Sequence, residues 1–91
     1  MSARVRIVYC AECGYEPQTL ELAGALMRRF GPDLAAIEIV PWLEGTFEVS
    51  VDGRLVHSMV RDGGFPTNEA IIEAVARRAP AGWTARLTKS D

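Results

Sequence analysis

The sequence predicts an α/β domain of the two-layer, α+β kind, ordered β-α-β-β-β-α around a mixed four-stranded sheet. Three observations carry this. The apolar run Val5-Arg6-Ile7-Val8-Tyr9 leads into a helical stripe and then a second strand-like run, the pattern of a β-α-β unit. Thr46 to Val51 alternates strictly and is followed by Asp52-Gly53 and a returning strand, the pattern of a hairpin. A right-handed crossover then makes the first two strands parallel, and the hairpin adds two antiparallel neighbours.

Each element has its own justification. In the first strand Val5, Ile7 and Tyr9 share one face, while Arg6 and Val8 take the other. Pro17 suits a first helical turn, where a missing N–H costs nothing. Gln18 to Phe30 carries a stripe of Leu20, Ala23, Met27 and Phe30, with Leu26 beside it, which reads as core. Gly31-Pro32 ends that helix, and Leu34 to Val40 forms the second strand, closed by Pro41. In the hairpin Phe47, Val49 and Val51 point inward, and Arg54 to Val60 returns as partner. Its turn is of type I′, which needs the positive φ that Asp and Gly tolerate. Counting outward from Val51 and Arg54 places Glu48 opposite His57, as an exposed cross-strand pair. Asp62-Gly63-Gly64-Phe65-Pro66 is a loop, and Thr67 or Asn68 caps a last helix through Arg78. Its buried stripe is Ile71, Ile72, Val75, Ala76 and Ala79, ended by Pro80. Two helices cover only one sheet face. The other, with Arg6, Val8, Glu38, Glu48, Leu55 and Met59, is expected to be solvated or to pair with a second copy as a homodimer.

The 91 residues suffice for one small domain, 1–91, with a core over about 4–79 and a short tail over 80–91 that includes Trp83. A content of 48% hydrophobic and 24% charged residues supports a modest packed core. A net charge of −2 gives no basic footprint, which argues against nucleic acid as a partner. No apolar stretch approaches the roughly 20 residues that span a bilayer. Met1-Ser2-Ala3-Arg4 has no hydrophobic signal core, so a cytoplasmic location is expected.

The chemistry concentrates in Cys10-Ala11-Glu12-Cys13, which holds the only two cysteines. The motif lies between a strand and a helix, where free N–H groups and the positive dipole end support a thiolate. Two sulfurs three positions apart can also close on each other. Thiol–disulfide chemistry is the leading reading, at catalytic residues Cys10 and Cys13. Two others stay open: a pair of inert thiols, and a metal shared between two chains. No metal set is predicted within one chain, because zinc needs about four ligands and His57 is the only histidine. Ala11, Glu12, Gly14 and Tyr15 complete the redox loop and a candidate substrate-binding surface. Glu12 opposes a low thiol pKa by like charge, whereas Gly14 lets a partner approach closely. Tyr9 reads as core. Trp42 and Phe65 lie in loops that can approach the redox end and offer it apolar surface.

Several separated motifs together carry a family resemblance. Cys10-Ala11-Glu12-Cys13-Gly14-Tyr15, Gly45-Thr46-Phe47-Glu48-Val49, Asp52-Gly53-Arg54-Leu55-Val56-His57-Ser58 and Asp62-Gly63-Gly64-Phe65 resemble the selenoprotein W group, the Rdx (SelT/SelW/SelH) family. The resemblance covers about residues 4–78 and implies a thioredoxin-like fold. It implies a small cytosolic redox protein acting with glutathione as reductant, or on protein thiols and disulfides, with no bound cofactor. The family also includes proteins thought to bind partners through the redox loop, which makes a redox-responsive interaction module the alternative. Cys13 matches the family's selenocysteine position, which implies that Cys13 attacks and Cys10 resolves. Thioredoxins proper place a cis-proline before the third strand. Here Gly45-Thr46 stands there, and Thr46 is the residue expected to face the cysteines.

Overall fold

The computed structural model describes residues 3–78. Strand β1 spans Ala3–Cys10, helix α1 Glu16–Phe30, β2 Leu34–Trp42, β3 Phe47–Val51, β4 Arg54–Ser58, α2 Met59–Asp62 and α3 Asn68–Arg78. A single 3-10 turn, Gly31–Asp33, joins α1 to β2. The sheet order is β2-β1-β3-β4, with β1 and β2 parallel and the other two pairs antiparallel. The predicted order therefore holds, with one short helix added after β4.

The core lies between one sheet face and the helices. Val5, Ile7, Val49 and Val51 are fully buried there, against Leu26 from α1 and Val75 from α3. Arg4 and Arg6 on β1, Glu38 on β2 and Leu55 on β4 are exposed, which among the described residues gives a one-sided sheet. Met59, expected on the open face, instead sits in α2 and packs against the core. In α3, Thr67 Oγ1 accepts the Ala70 N–H at 3.1 Å and is the N-terminal cap. Ile71, Ala74 and Val75 are its buried positions, with Ile72 and Ala76 half-buried. Ala79, Pro80 and Trp83 lie outside the described residues.

Three further sequence expectations need correction. The buried stripe of α1 is Thr19, Leu22, Ala23, Leu26 and Phe30, while Leu20 and Met27 are 65% and 58% exposed. The helix is rotated because Thr19 can enter the core: its hydroxyl donates to the Tyr15 carbonyl at 2.9 Å, so no polar group is left unsatisfied. β2 runs two residues past Val40, through Pro41 to Trp42. Pro41 is tolerated because β2 is an edge strand whose missing N–H breaks no central ladder.

The third correction concerns His57. The ladder shifts between Val49 and Ser50, so Val56 is an extra residue on β4, and His57 pairs with Val49 instead of Glu48. The bulge turns His57 to the inner face, where it is only 9% exposed. Glu48 faces Ser58 instead, whose hydroxyl donates to its carboxylate at 3.3 Å. The hairpin turn itself is as predicted, with Asp52 and Gly53 at φ 52° and 82°.

Candidate functional site

β1 ends at Cys10, which is wholly buried beside Trp42 in the ladder to β2. Ala11 extends that ladder by one bond, its N–H donating to the Trp42 carbonyl at 2.9 Å. The chain then turns over residues 11–14, with Gly14 at φ 77°, a conformation costly for a side chain with a Cβ. The Tyr15 N–H reaches back to the Cys10 carbonyl at 3.4 Å and closes the turn. Cys10 and Cys13 are joined as a disulfide with Cα atoms 5.3 Å apart, inside the usual span for such a bond. The pair is asymmetric: Cys10 is buried and Cys13 is exposed.

α1 begins immediately after this turn. Tyr15 is its N-cap and supplies no side-chain acceptor, and Pro17 in the first turn has no N–H to satisfy. The first-turn N–H groups and the positive end of the α1 dipole therefore lie next to Cys13. Glu12 is exposed, and its carboxylate accepts the Glu44 N–H at 3.2 Å, which ties the redox turn to the loop before β3. Thr46 lies one step beyond the Tyr9–Phe47 pair, so its row in the sheet is that of Cys10. Its hydroxyl donates to the Leu43 carbonyl at 2.7 Å and pins the same loop. Trp42 and Leu43 are exposed at this end.

Phe65 closes the other side. Its ring stands edge-on to Tyr15 at 4.9 Å and to Phe47 at 5.0 Å, yet remains 38% exposed. The sequence anticipated Tyr15 and Phe65 at the redox end but not their mutual contact. What holds the Phe65 loop was also missed. His57 Nε2 donates to the Gly64 carbonyl at 2.9 Å, because a carbonyl can only accept. His57 Nδ1 lies 3.6 Å from Asp62 Oδ2. Asp62 in turn accepts the Ser58 N–H at 3.1 Å and two Arg61 guanidinium bonds at 2.8 Å. The Arg61 bonds, then the Ser58 N–H, hold the Asp62 carboxyl well below the usual carboxylate range. Only the bulge brings His57 to this loop, and a strictly alternating count hides it. Among the described residues, no three His, Cys, Asp or Glu side chains gather as a metal-binding cluster.

A family model, the Rdx family, matches residues 4–77. The chain belongs to the Rdx family. Mouse selenoprotein W is 41% identical over 71 residues, covering 77% of this chain and 81% of its own. Bovine migration and invasion enhancer 1 is 37% identical over 89 residues, covering 96% of this chain and 74% of its own. Among solved structures, a Bordetella parapertussis protein aligns with a TM-score of 0.82 at 28% identity, covering 87% of this chain and all of that one. A selenoprotein W-related protein from Vibrio cholerae aligns at 0.81, with 85% and 96% covered, and at 23% identity this likeness concerns the fold alone. The Rdx chain has a thioredoxin-like fold, and its Cys10–Cys13 pair stands at the strand–helix junction. No helix among its described residues is long and apolar enough to cross a membrane.

Proposed function

We propose that this Rdx protein is a dithiol–disulfide exchange protein of the reducing cytoplasm, acting on disulfides or oxidised thiols of protein or glutathione partners. The carrying observation is the asymmetry of the pair, with Cys13 exposed and Cys10 buried. A partner sulfur can reach only Cys13. The Cys13 thiolate attacks a substrate disulfide, forms a mixed disulfide and releases one substrate thiolate. Cys10 then attacks the Cys13 sulfur, expels the second substrate thiolate and leaves the Cys10–Cys13 disulfide. Two thiols of the protein are oxidised as one substrate disulfide is reduced. Two equivalents of glutathione would restore the dithiol and leave as glutathione disulfide, so no bound cofactor enters the cycle.

The first test is a thiol-trapping redox titration of the purified protein, read by mass, with Cys10→Ser and Cys13→Ser variants beside it. A reversible two-electron transition is expected in the native sequence. Cys10→Ser should accumulate a mixed disulfide with substrate, because nothing resolves it, and Cys13→Ser should lose turnover. Absence of the intramolecular disulfide at every poise, or undiminished turnover in Cys13→Ser, would sink this reading.

One observation favours a second reading, a redox-responsive interaction module. The redox turn is bonded to the end of β2 through Ala11 and to the loop that follows through Glu12, and this segment exposes Trp42 and Leu43. Under this reading the redox state of the pair sets the shape of an apolar contact surface. Partner capture then differs between the oxidised and reduced forms, with no turnover to lose.

A further inference from the structure

The redox turn lies at one end of the molecule, and that end is acidic. β1 and β2 run toward it and α1 runs away from it, while the Asn68–Glu21 contact places the start of α3 there too. Glu12, Glu16, Glu21, Glu44 and Glu69 therefore gather at this end, all exposed. Arg4 at the start of β1 and Arg28 at the end of α1 belong to the opposite end, while Arg29 lines a neighbouring groove that also includes Thr67, Glu69 and Ala70. Arg61 is a cation that the fold brings toward the redox end, and its bidentate bonds commit it to Asp62.

Within that end a cavity of about 280 Å³ opens between α1 and the start of α3. Its floor is apolar, formed by the buried Leu22 and Phe47 together with Phe65, and Gln18, Glu21 and Glu69 stand exposed around its mouth. Asn68 Nδ2 donates to Glu21 Oε2 at 3.5 Å and holds that carboxylate near the opening. The volume falls just below the roughly 300–1,000 Å³ of small-molecule sites, which suits one long side chain better than a cofactor. An arginine or lysine matches both halves: its aliphatic stem lies on the apolar floor and its cationic head meets two carboxylates. A helix dipole would account for Glu69 in the first turn of α3, but Glu21 lies beyond the first turn of α1.

Phe65 couples this cavity to the chemistry, since its ring lines the cavity and also packs on Tyr15, two residues after Cys13. Gln18 is five residues from Cys13, which bounds their separation at about 18 Å, the span of about five extended residues. We propose that this cavity is a recognition pocket for an arginine or lysine side chain of the protein or peptide whose disulfide reaches Cys13. The proposal rests on the exchange reading above and names its substrate class: cationic polypeptides.

The test uses the pre-reduced full chain and cysteine peptides activated as mixed disulfides. The peptides are identical except for Arg, Gln or Glu four residues from the cysteine. In single turnover the Arg peptide should react about fivefold faster than the Gln peptide at low salt, and the Glu peptide slowest. In the E21Q/E69Q variant the Arg-to-Gln ratio should fall toward one, whereas E38Q, outside the pocket, should keep it. Equal rates for the Arg and Gln peptides, or an Arg preference that survives E21Q/E69Q, overturns the pocket. A second arm follows NMR signals of Leu22 and Phe65 on titration with the same peptides carrying Ser for Cys. Shifts with the Arg peptide that vanish in E21Q/E69Q support the pocket, and their absence in the unsubstituted protein counts against it. If no peptide is reduced while those shifts persist, the exchange reading fails and the pocket stands. If all peptides are reduced without preference, the pocket alone is lost.

Discussion

Glu12 sits between the two cysteines, and its carboxylate accepts a backbone N–H from Glu44 at 3.2 Å. That bond fixes a negative charge close to the exposed Cys13. Like charge disfavours a thiolate, while the first turn of α1 favours it, so the two influences oppose each other at one sulfur. Glu12→Gln removes the charge and keeps an oxygen for the Glu44 N–H. Alkylation of Cys13 in the reduced variant by iodoacetamide at neutral pH is therefore expected to speed up about two- to threefold. An unchanged rate would mean that solvent screens Glu12 from the sulfur. Burial separates the two cysteines more sharply than charge does. Cys10 has no exposed surface, and this alone gives each sulfur its own role in the proposed cycle.

At the scale of elements, the segment from β4 to α3 shows how a small helix positions a loop. Ser58 caps α2 by accepting the Arg61 N–H, and Asp62 accepts the Ser58 N–H in return, a reciprocal arrangement like a capping box. The chain then turns through Gly63 and Gly64 so that His57 can bond the Gly64 carbonyl and Phe65 can reach Tyr15. The depressed Asp62 carboxyl gives this segment a pH signature. A carboxyl whose folded-state pKa lies below its unfolded value of about 4 stabilises the fold above that pH. The contribution fades as pH falls from there toward the lower folded-state value. Asp62→Asn should therefore lower Tm at pH 7, and the gap from the unsubstituted protein should close as pH falls below about 4. A gap that stays constant from pH 7 to pH 2 would show that the charge of Asp62 does not hold α2.

At the scale of the whole molecule, the helices bury one sheet face, and among the described residues the other face is left open. The inner face carries the cohesion. Val49 is fully buried between β1 and β4, and Val49→Ala should cost about 2 kcal/mol in urea unfolding, through lost burial and a residual void. Leu55 is 40% exposed and pairs with Ser50 across the hairpin. Leu55→Thr introduces a β-branched side chain suited to a strand and should change stability by no more than about 0.5 kcal/mol. A larger cost at Leu55 would indicate that the open face is covered in solution, as by a second copy of the chain, and sedimentation would then show a dimer. The same polarity of the fold places the redox turn, the Phe65 loop and the acidic side chains together at one end.

The order of elements, the parallel first pair of strands, the hairpin turn and the placement of Cys10 and Cys13 at a strand–helix junction were determined by the sequence itself. Each depends on local chemistry: period-two alternation, the positive φ that Asp52-Gly53 tolerates, and the apolar run ahead of the cysteines. The four family motifs were equally legible, being short and contiguous. Three features were decided only by tertiary packing. The rotation of α1 depends on whether a polar Thr19 can be satisfied inside, which the Tyr15 carbonyl permits and hydrophobicity alone does not reveal. The bulge at Val56 flips His57 inward, because one extra residue reverses every facing that a strict count assigns. The burial of Cys10 beside an exposed Cys13 arises because the first ends a strand and the second lies in the turn beyond it. A two-state pattern along a chain cannot express such differences, since they depend on what the rest of the fold brings alongside.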